Sequence, residues 1–271
     1  MMIRLVSAAT WPTPVLSSAF SNNFDPQGLA MTICVGYFQP EPLETRRTFT
    51  VSGYVASKGR WRQFDSIWNR ALGQAGIAAF HAREFSYGSG EFANGWHDVA
   101  RKTRLVERLA RITEQHIVRA FSCSVAVEDY ESVHHGRRLG VTTGLYGLCA
   151  GLLVASVRRW MTEHRPDDLT LFVFEDGDVD HREISRVATA DRSIRGEPAQ
   201  VWPRRWIDEV GRTRHIRPFE AVDLLTVDGG GALISRLRER DRFEAEVVDR
   251  GRLLALSRAE SVQDPSERLD V

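Results

Sequence analysis

The sequence predicts one α/β domain in which a mixed sheet carries helices on both faces. Short apolar runs typical of buried strands alternate with longer segments in which apolar residues recur at helical spacing. A short link containing two prolines joins the first two runs, which favours an antiparallel hairpin at the start of the sheet. Strands that alternate with helices after such a hairpin are typical of an α/β architecture. The 271 residues are 42% hydrophobic and 27% charged, enough apolar material for a sizeable core.

Four apolar runs predict the strands of the sheet. The first two are MTICVGYF, at 31–38, and TFTVSGYVA, at 48–56, which we expect to pair with each other. The later two are IVRAFSCSVAV, at 117–127, and LTLFVFE, at 169–175. We expect the last of these to lie in the same sheet, beside the first strand.

Helical spacing of apolar residues predicts five helices between and after these strands. They are expected over 60–75, 98–116, 141–164, 180–190 and 218–240. Gly76 is predicted to end the first helix, because glycine is common directly after the last helical residue. The last helix contains three glycines at 229–231, which weaken it.

The remaining segments predict extended or irregular structure. AAFHAREF, at 78–85, is interpreted as a short extended piece, and 191–215 as an irregular Arg-rich stretch. The regular pattern runs from 31 to 257, which predicts a single domain over those residues. Residues 1–30 are expected to form a flexible N-terminal extension and 258–271 a frayed C-terminal tail.

The net charge and the cysteines of the sequence indicate which partners and which cellular compartment to expect. The formal net charge is zero, so no global field attracts nucleic acid, and any contact with a polyanion requires a local basic patch. The three cysteines are widely spaced in apolar runs, which predicts buried free thiols in a reducing cytoplasm rather than a metal site. No apolar run reaches the ~18 residues of a membrane span, so no membrane association is expected.

The end of the fourth predicted strand is the first candidate site. Leu171 to Phe174 run directly into Glu175, Asp176 and Asp178. Ligand sites in α/β sheets lie at the carboxyl ends of strands. Carboxylates there suit a hard cation such as Mg²⁺, which prefers oxygen ligands. The alternative is a solvated polar turn around Asp176 and Gly177.

Two further candidates come from other parts of the chain. Asp223 lies within the apolar stretch AVDLLTV, where a carboxylate is costly unless it is paired or bound to metal, and Asp228 follows five residues later. The alternative for Asp223 is a salt bridge to one of the many arginines. His81 lies in the apolar stretch FHAREF, where a histidine packed in the core is the simpler interpretation.

Four stretches occurring in order resemble a known bacterial family. They are FTVSGYVASKGRWRQFDSIWNRAL, GIAAFHAREFSYGSGEFANGW, LFVFEDGD and PFEAVDLL. Together they are similar, over roughly residues 31–235, to the family called domain of unknown function 3800 (DUF3800), which has a ribonuclease H-like fold. The resemblance therefore implies a ribonuclease H-like mixed sheet.

The resemblance also implies a metal-dependent active site. In ribonuclease H-like enzymes, carboxylates from the first strand, a central strand and a late helix gather about two metal ions that activate water. By resemblance, Glu175 is the central acid, Asp223 is the late-helix acid, and Asp228 stands where the family has Glu. His81 and Glu84 match the family pattern F-H-x-x-D/E. The implied catalytic residues are Glu175, Asp223, Asp228 and His81, and the implied ligands of Mg²⁺ or Mn²⁺ are Glu175, Asp176, Asp223 and Asp228.

The first strand departs from the family pattern. The family acid is missing there, because Gly36, Tyr37 and Phe38 stand where D-E-S or D-D-S is usual. Glu41 or Glu44, in the following turn, would have to replace it. The late motif also carries Glu220 where Gln is usual. Loss of the first-strand acid predicts weak or absent nuclease activity.

Two functions therefore stay open. One is a metal-dependent nuclease or phosphodiesterase, for which the resemblance implies a context of phage defence or mobile elements. The other is a catalytically inactive relative that binds nucleic acid or a protein partner. A purely structural role is a third, simpler interpretation. The metal hypothesis predicts that the carboxylates of Glu175 and Asp223 approach within ~8 Å, about the span of a metal cluster.

Overall fold

The computed structural model describes most of the chain from residue 31 onward. The described ranges are 31–38, 48–134, 144–168, 170–175, 200–202, 204–207, 213–227 and 230–263. The predicted extension at 1–30 and the predicted short helix at 180–190 lie outside them.

Within these ranges the chain forms strands and helices in alternation. The strands are β1 Met31–Phe38, β2 Thr48–Ser57, β3 Arg119–Ala126, β4 Thr170–Glu175, β5 Gln200–Trp202, β6 Arg205–Ile207, β7 Thr213–His215 and β8 Phe243–Val248. The helices are α1 Lys58–Ala75, α2 Ala82–Tyr87, α3 Val99–His116, α4 Val127–His134, α5 Leu145–His164, α6 Arg217–Asp223, α7 Gly230–Glu239 and α8 Arg250–Gln263, with a 3₁₀ turn at Gly90–Phe92.

Six strands form one mixed sheet in the order β5-β4-β1-β2-β3-β8. Only β2 runs antiparallel to its neighbours, whereas β4 pairs parallel with β1, and β8 pairs parallel with β3. The predicted hairpin of β1 and β2 and the place of β4 beside β1 are both confirmed. The structure thus confirms the predicted mixed sheet. Strands β6 and β7 form a separate antiparallel pair.

Helices cover both faces of the sheet, as predicted. On one face, α1, α3, α6 and α7 build a core around Trp61, Trp68 and Phe219. On the other face, α4, α5 and α8 build a second core around Phe121 and Leu153. Two of the three cysteines predicted to be buried free thiols, Cys123 and Cys149, are buried and free. The side chain of the third, Cys34, lies outside the described part of the structure. None of the helices in the described ranges is long and apolar enough to cross a membrane.

Helix α1 shows how local sequence produces these elements. The Ser57 side chain accepts a hydrogen bond from the amide of Arg60, which caps the first turn. Buried aromatic residues recur along one face of the helix, at Trp61, Phe64 and Trp68. Gly76 ends the helix with φ 78°, a conformation that glycine adopts without steric cost.

The predicted single helix over 218–240 is wrong, because the structure divides it. Helix α6 ends at Asp223, a turn follows, and α7 begins at Gly230. The turn packs back on the start of α7 so closely that a Cβ on Gly230 would collide with the carbonyl oxygen of Leu224. Gly230 and Gly231, two of the glycines that weaken the predicted helix, therefore begin α7 after the break.

Other boundaries also differ from the prediction. The extended piece at 78–85 becomes helix α2 from Ala82 onward. The stretch 191–215, predicted to be irregular, contains β5, β6 and β7. Strand β8 has no counterpart among the predicted strands, and α8 continues beyond residue 257 to Gln263.

Candidate functional site

The candidate site lies where β4 and α6 end on the same face of the sheet. Glu175 is the last residue of β4 and Asp223 the last residue of α6, and both are buried, with 8% and 6% of their surface exposed. His81 directly precedes α2 and is half-buried. The fold thus brings together three residues that are distant in the sequence.

Arg204 lies between the two carboxylates and binds both of them. Its Nη2 donates to Oε2 of Glu175 at 2.8 Å and to Oδ1 of Asp223 at 3.1 Å. Its Nη1 donates to Oδ2 of Asp223 at 2.6 Å, and its Nε donates to Oε1 of Glu175. All four carboxylate oxygens therefore accept hydrogen bonds from one guanidinium group.

The arginine is fixed through its main chain as well as its side chain. The carbonyl oxygen of Arg204 accepts a hydrogen bond from the amide of Ile216, at 2.9 Å, just before α6. Burial alone lowers the pKa of Arg204, but the charge of Asp223 and the hydrogen bonds to Glu175 and Asp223 outweigh it. The net effect raises this pKa well above its ordinary value. Arg204 is thus a permanent cation held by two anions.

His81 completes the cluster as a hydrogen-bond acceptor. Its Nδ1 lies 3.0 Å from Nη1 of Arg204. Because an arginine in a protein is always protonated and can only donate, Nδ1 of His81 accepts and the ring proton lies on Nε2. The amide of Ala82 donates to Oδ2 of Asp223 at 3.1 Å, so Asp223 also caps the start of α2.

Tyr54 links the sheet to the helix that carries Asp223. Its hydroxyl, on β2, donates to the carbonyl oxygen of Ala221 at 3.2 Å. Burial, and then the negative charge of Asp223, raise the pKa of this phenol well above its ordinary value. Tyr54 therefore stays protonated and holds α6 against the sheet.

Glu220 forms a second buried polar cluster on the same helix. Its Oε2 accepts from Nε1 of Trp68 at 2.9 Å and from the amide of Phe80 at 3.1 Å, and its Oε1 pairs with Arg217. Burial raises the pKa of Glu220, although Arg217, Trp68 and Phe80 act in the opposite direction. This carboxylate connects α1, the segment before α2, and α6, so its role is structural.

Gly36 lies beside this site in the central row of the sheet. Gly36 pairs with Ser52 of β2, which in turn pairs with Ser122 of β3. On the other side, Val35 pairs with Phe174 of β4, so the next residues, Gly36 and Glu175, lie at the same level. Because this residue is glycine, it contributes no carboxylate to the site. Next to this row, the same face holds a cleft of about 350 Å³. Its polar lining consists of Thr50, Ser52, Ser122, Ser124, Thr226 and Arg238.

The structure assembles part of the predicted site. Glu175, Asp223 and His81 all contact Arg204. Because both carboxylates contact the same guanidinium group, they lie close together, as predicted. The alternative salt bridge of Asp223 is also present. Glu84 points elsewhere and accepts a hydrogen bond from the amide of Glu91 at 3.2 Å. The remaining predicted residues, Asp176, Asp178, Asp228, Glu41 and Glu44, lie outside the described residues.

Arg204 is the site residue that sequence reasoning missed. The salt-bridge alternative for Asp223 indicated an arginine, but not which one, because the stretch around Arg204 contains several. That stretch also predicts no strand. The short parallel pairing of β5 with β4 brings the following residues next to Glu175. Pairing over three residues leaves too short an apolar signal for detection in the sequence.

The residues present do not fit a metal ion between Glu175 and Asp223. All four of their oxygens already bind Arg204, so a cation would have to displace a guanidinium that is only 18% exposed. Within the part of the chain that the structure describes, no three His, Cys, Asp or Glu side chains are grouped in a way that could hold a metal.

The chain is distantly similar to some solved structures. The chain matches no family model and no curated protein. Among solved structures it is similar to two crystal structures of Bst-RNase HIII, one in complex with Mn²⁺ and one of a mutant protein. Each shows 10% identity and a TM-score of 0.37 over 79% of this chain. The chain covers 56% of the length of those proteins.

Proposed function

We propose that this chain is a non-cleaving protein of ribonuclease H-like fold, which acts by binding nucleic acid. The absence of cleavage is inferred from the position of Arg204, which donates hydrogen bonds to all four carboxylate oxygens of Glu175 and Asp223. In this proposal an internal cation replaces the metal ions expected from the resemblance to the DUF3800 family.

The energetics favour the internal cation. Removing one partner of a buried ion pair costs about 3–5 kcal/mol, because the remaining charge stays buried and uncompensated. A metal ion would have to repay that cost and bind with few protein ligands, since Gly36 supplies no carboxylate. Arg204 also keeps Nδ1 of His81 engaged, which removes that nitrogen as a proton acceptor.

A metal-dependent nuclease is the second candidate. The convergence of Glu175, Asp223 and His81 at the end of β4 favours it, because the family resemblance implies a catalytic role for these three residues. This candidate requires Arg204 to leave the carboxylates before Mg²⁺ or Mn²⁺ binds. Asp176 and Asp228 would then be the further ligands.

A cleavage assay separates the two candidates. Wild type, Gly36→Asp and Asp223→Ala are incubated with Mn²⁺ and fluorescent single- and double-stranded DNA and RNA. We expect wild type to be as inactive as Asp223→Ala, because no metal is held without displacing Arg204. Gly36→Asp adds a carboxylate but leaves Arg204 on Glu175 and Asp223, so it is expected to stay as inactive as the wild type.

The control is Arg204→Gln, tested for thermal stabilisation by Mn²⁺. We expect Mn²⁺ to raise the Tm of Arg204→Gln, where two carboxylates lack their cation, and to leave the wild-type Tm unchanged. Wild-type cleavage that disappears in Asp223→Ala would establish the nuclease and refute the proposal.

A further inference from the structure

A groove between α3 and α7 lies away from the carboxylate cluster. Its volume is about 500 Å³. Its walls are formed by Glu107, Arg111, Glu114, Gln115, Ala232, Arg236 and Arg240. Charged side chains dominate this lining, and no large apolar side chain belongs to it, so the groove is suited to a charged partner.

One buried carboxylate orients two of the arginines in the groove. Glu114, whose side chain is 8% exposed, pairs with Nε of Arg236 at 2.8 Å and with Nη1 of Arg240 at 2.6 Å. Arg111 pairs with Glu107 at 3.3 Å, but both are largely exposed, so that pair is weak. Three guanidinium groups therefore face the groove with only one firmly held anion among them.

Two more arginines increase the positive charge at this end of the molecule. Arg60 donates to the carbonyl oxygen of Ile117 at 3.2 Å, and Arg242 donates to the same oxygen. Burial and then the charge of Arg60 lower the pKa of Arg242, with a further lowering by Arg240, while Glu114 opposes them. The arginines thus repel one another in the free protein, which an anionic ligand would relieve.

The basic surface continues along α3 and the neighbouring α1. Arg104, Arg108 and Arg111 are exposed at spacings of four and three residues, so they follow one side of α3 over about 10 Å. The basic residues of the two helices are Lys58, Arg60, Arg62, Arg70, Arg101, Lys102, Arg104, Arg108 and Arg111; the acidic ones are Asp65, Glu107 and Glu114. These two helices are therefore strongly basic, although the formal net charge of the whole chain is zero.

We infer that the groove between α3 and α7, with the arginines of α3 and α1 beside it, binds the sugar–phosphate backbone of a nucleic acid. A single phosphate ion cannot reach arginines spread along α3, whereas a backbone with regularly spaced phosphates can. Guanidinium groups bind phosphate oxygens in pairs, and backbone contacts of this kind provide affinity without base specificity. This inference rests on the proposed function of binding nucleic acid, and it identifies the surface that binds.

The test measures fluorescence anisotropy of labelled DNA and RNA oligonucleotides at several salt concentrations. The variant is Arg111→Gln combined with Arg240→Gln. The matched control is Arg159→Gln on α5, on the other face of the sheet. Arg159 and Arg240 are both 61% exposed, and each pairs with one glutamate at 2.6 Å.

The wild type is expected to bind with a strong salt dependence. The double variant should bind at least about tenfold more weakly, with a log–log salt slope smaller by about 2, because two phosphate contacts are lost. Arg159→Gln should bind as wild type does. Equal binding by wild type and the double variant, equal loss in Arg159→Gln, or no wild-type binding would each overturn the inference.

Three additional measurements keep the outcomes distinct. Poly-glutamate that competes as well as an oligonucleotide of equal charge would overturn the inference in favour of an acidic protein partner. Cleavage is scored separately, so an active enzyme that still loses binding in the double variant supports this surface and refutes only the proposed absence of cleavage. Unchanged thermal melting of the double variant confirms that the exposed substitutions leave the fold intact.

Discussion

Arg204 joins carboxylates that come from a strand end and a helix end 48 residues apart in the chain. The acidic members of this cluster were predictable, because a carboxylate after an apolar strand and another inside an apolar helix both require a partner. The identity of their partner was not predictable, because an arginine and a metal ion both supply the positive charge that buried carboxylates require. Only the pairing of β5 with β4 decides between them.

Replacing Arg204 tests the strength of this ion-pair network. Arg204→Gln should lower the free energy of unfolding by about 3–5 kcal/mol, because Glu175 and Asp223 remain buried without a cation. Arg159→Gln, which removes an exposed partner of Glu244, should cost at most about 1 kcal/mol. Urea unfolding of both variants measures the difference. A loss below about 1 kcal/mol for Arg204→Gln would show that the network contributes little.

The contribution of Glu220 to the free energy of unfolding should decrease as pH rises. Burial raises its folded-state pKa above the ordinary value of 4.5, so its contribution is fully present below pH 4.5 and is lost as pH rises through the folded-state pKa. Gln at this position stays neutral and lacks this decline. The unfolding free energy of Glu220→Gln minus that of wild type should therefore rise with pH over that window. Urea titrations across pH provide the measurement, and a flat or falling difference contradicts the assignment.

At the scale of elements, the hydrophobic patterns predicted α1, α3, α5 and the strands β1 to β4. They did not predict α2, α4 or α8, or the break between α6 and α7. Helix α3 starts and ends within a residue of its predicted limits. Helices α6 and α7 were predicted as one, because the apolar spacing continues through the turn. A pattern of apolar residues reports which side is buried, whereas the break at Gly230 depends on a close approach to Leu224.

Two neighbouring glycines allow a controlled test of that break. Gly230→Ala should destabilise the protein by about 1–3 kcal/mol, because its Cβ would collide with the carbonyl oxygen of Leu224. Gly231→Ala has no atom within 4 Å of its Cβ and should stabilise the protein by up to about 1 kcal/mol, since alanine favours the helix. Thermal melting distinguishes the two. Equal effects would show that the turn moves freely.

At the scale of the whole molecule, the sequence predicted the architecture better than the surface. The order of the central strands follows from the hairpin and from burial of β4 on both faces. The basic groove was not predictable, because a net charge of zero conceals how charges are distributed. Only packing of α1, α3 and α7 on one face gathers their arginines there.

The strand order also constrains how the chain is made on the ribosome. The first three strands emerge early and form a meander, but β1 and β3 each await a partner that is synthesised much later, β4 from residue 170 and β8 from residue 243. Translation proceeds at roughly 5–20 residues per second, so both edges of the nascent meander stay unpaired for seconds. Open strand edges invite pairing with other chains. The edge of β1 is therefore open to such pairing until β4 has been made, and the edge of β3 until β8 has been made.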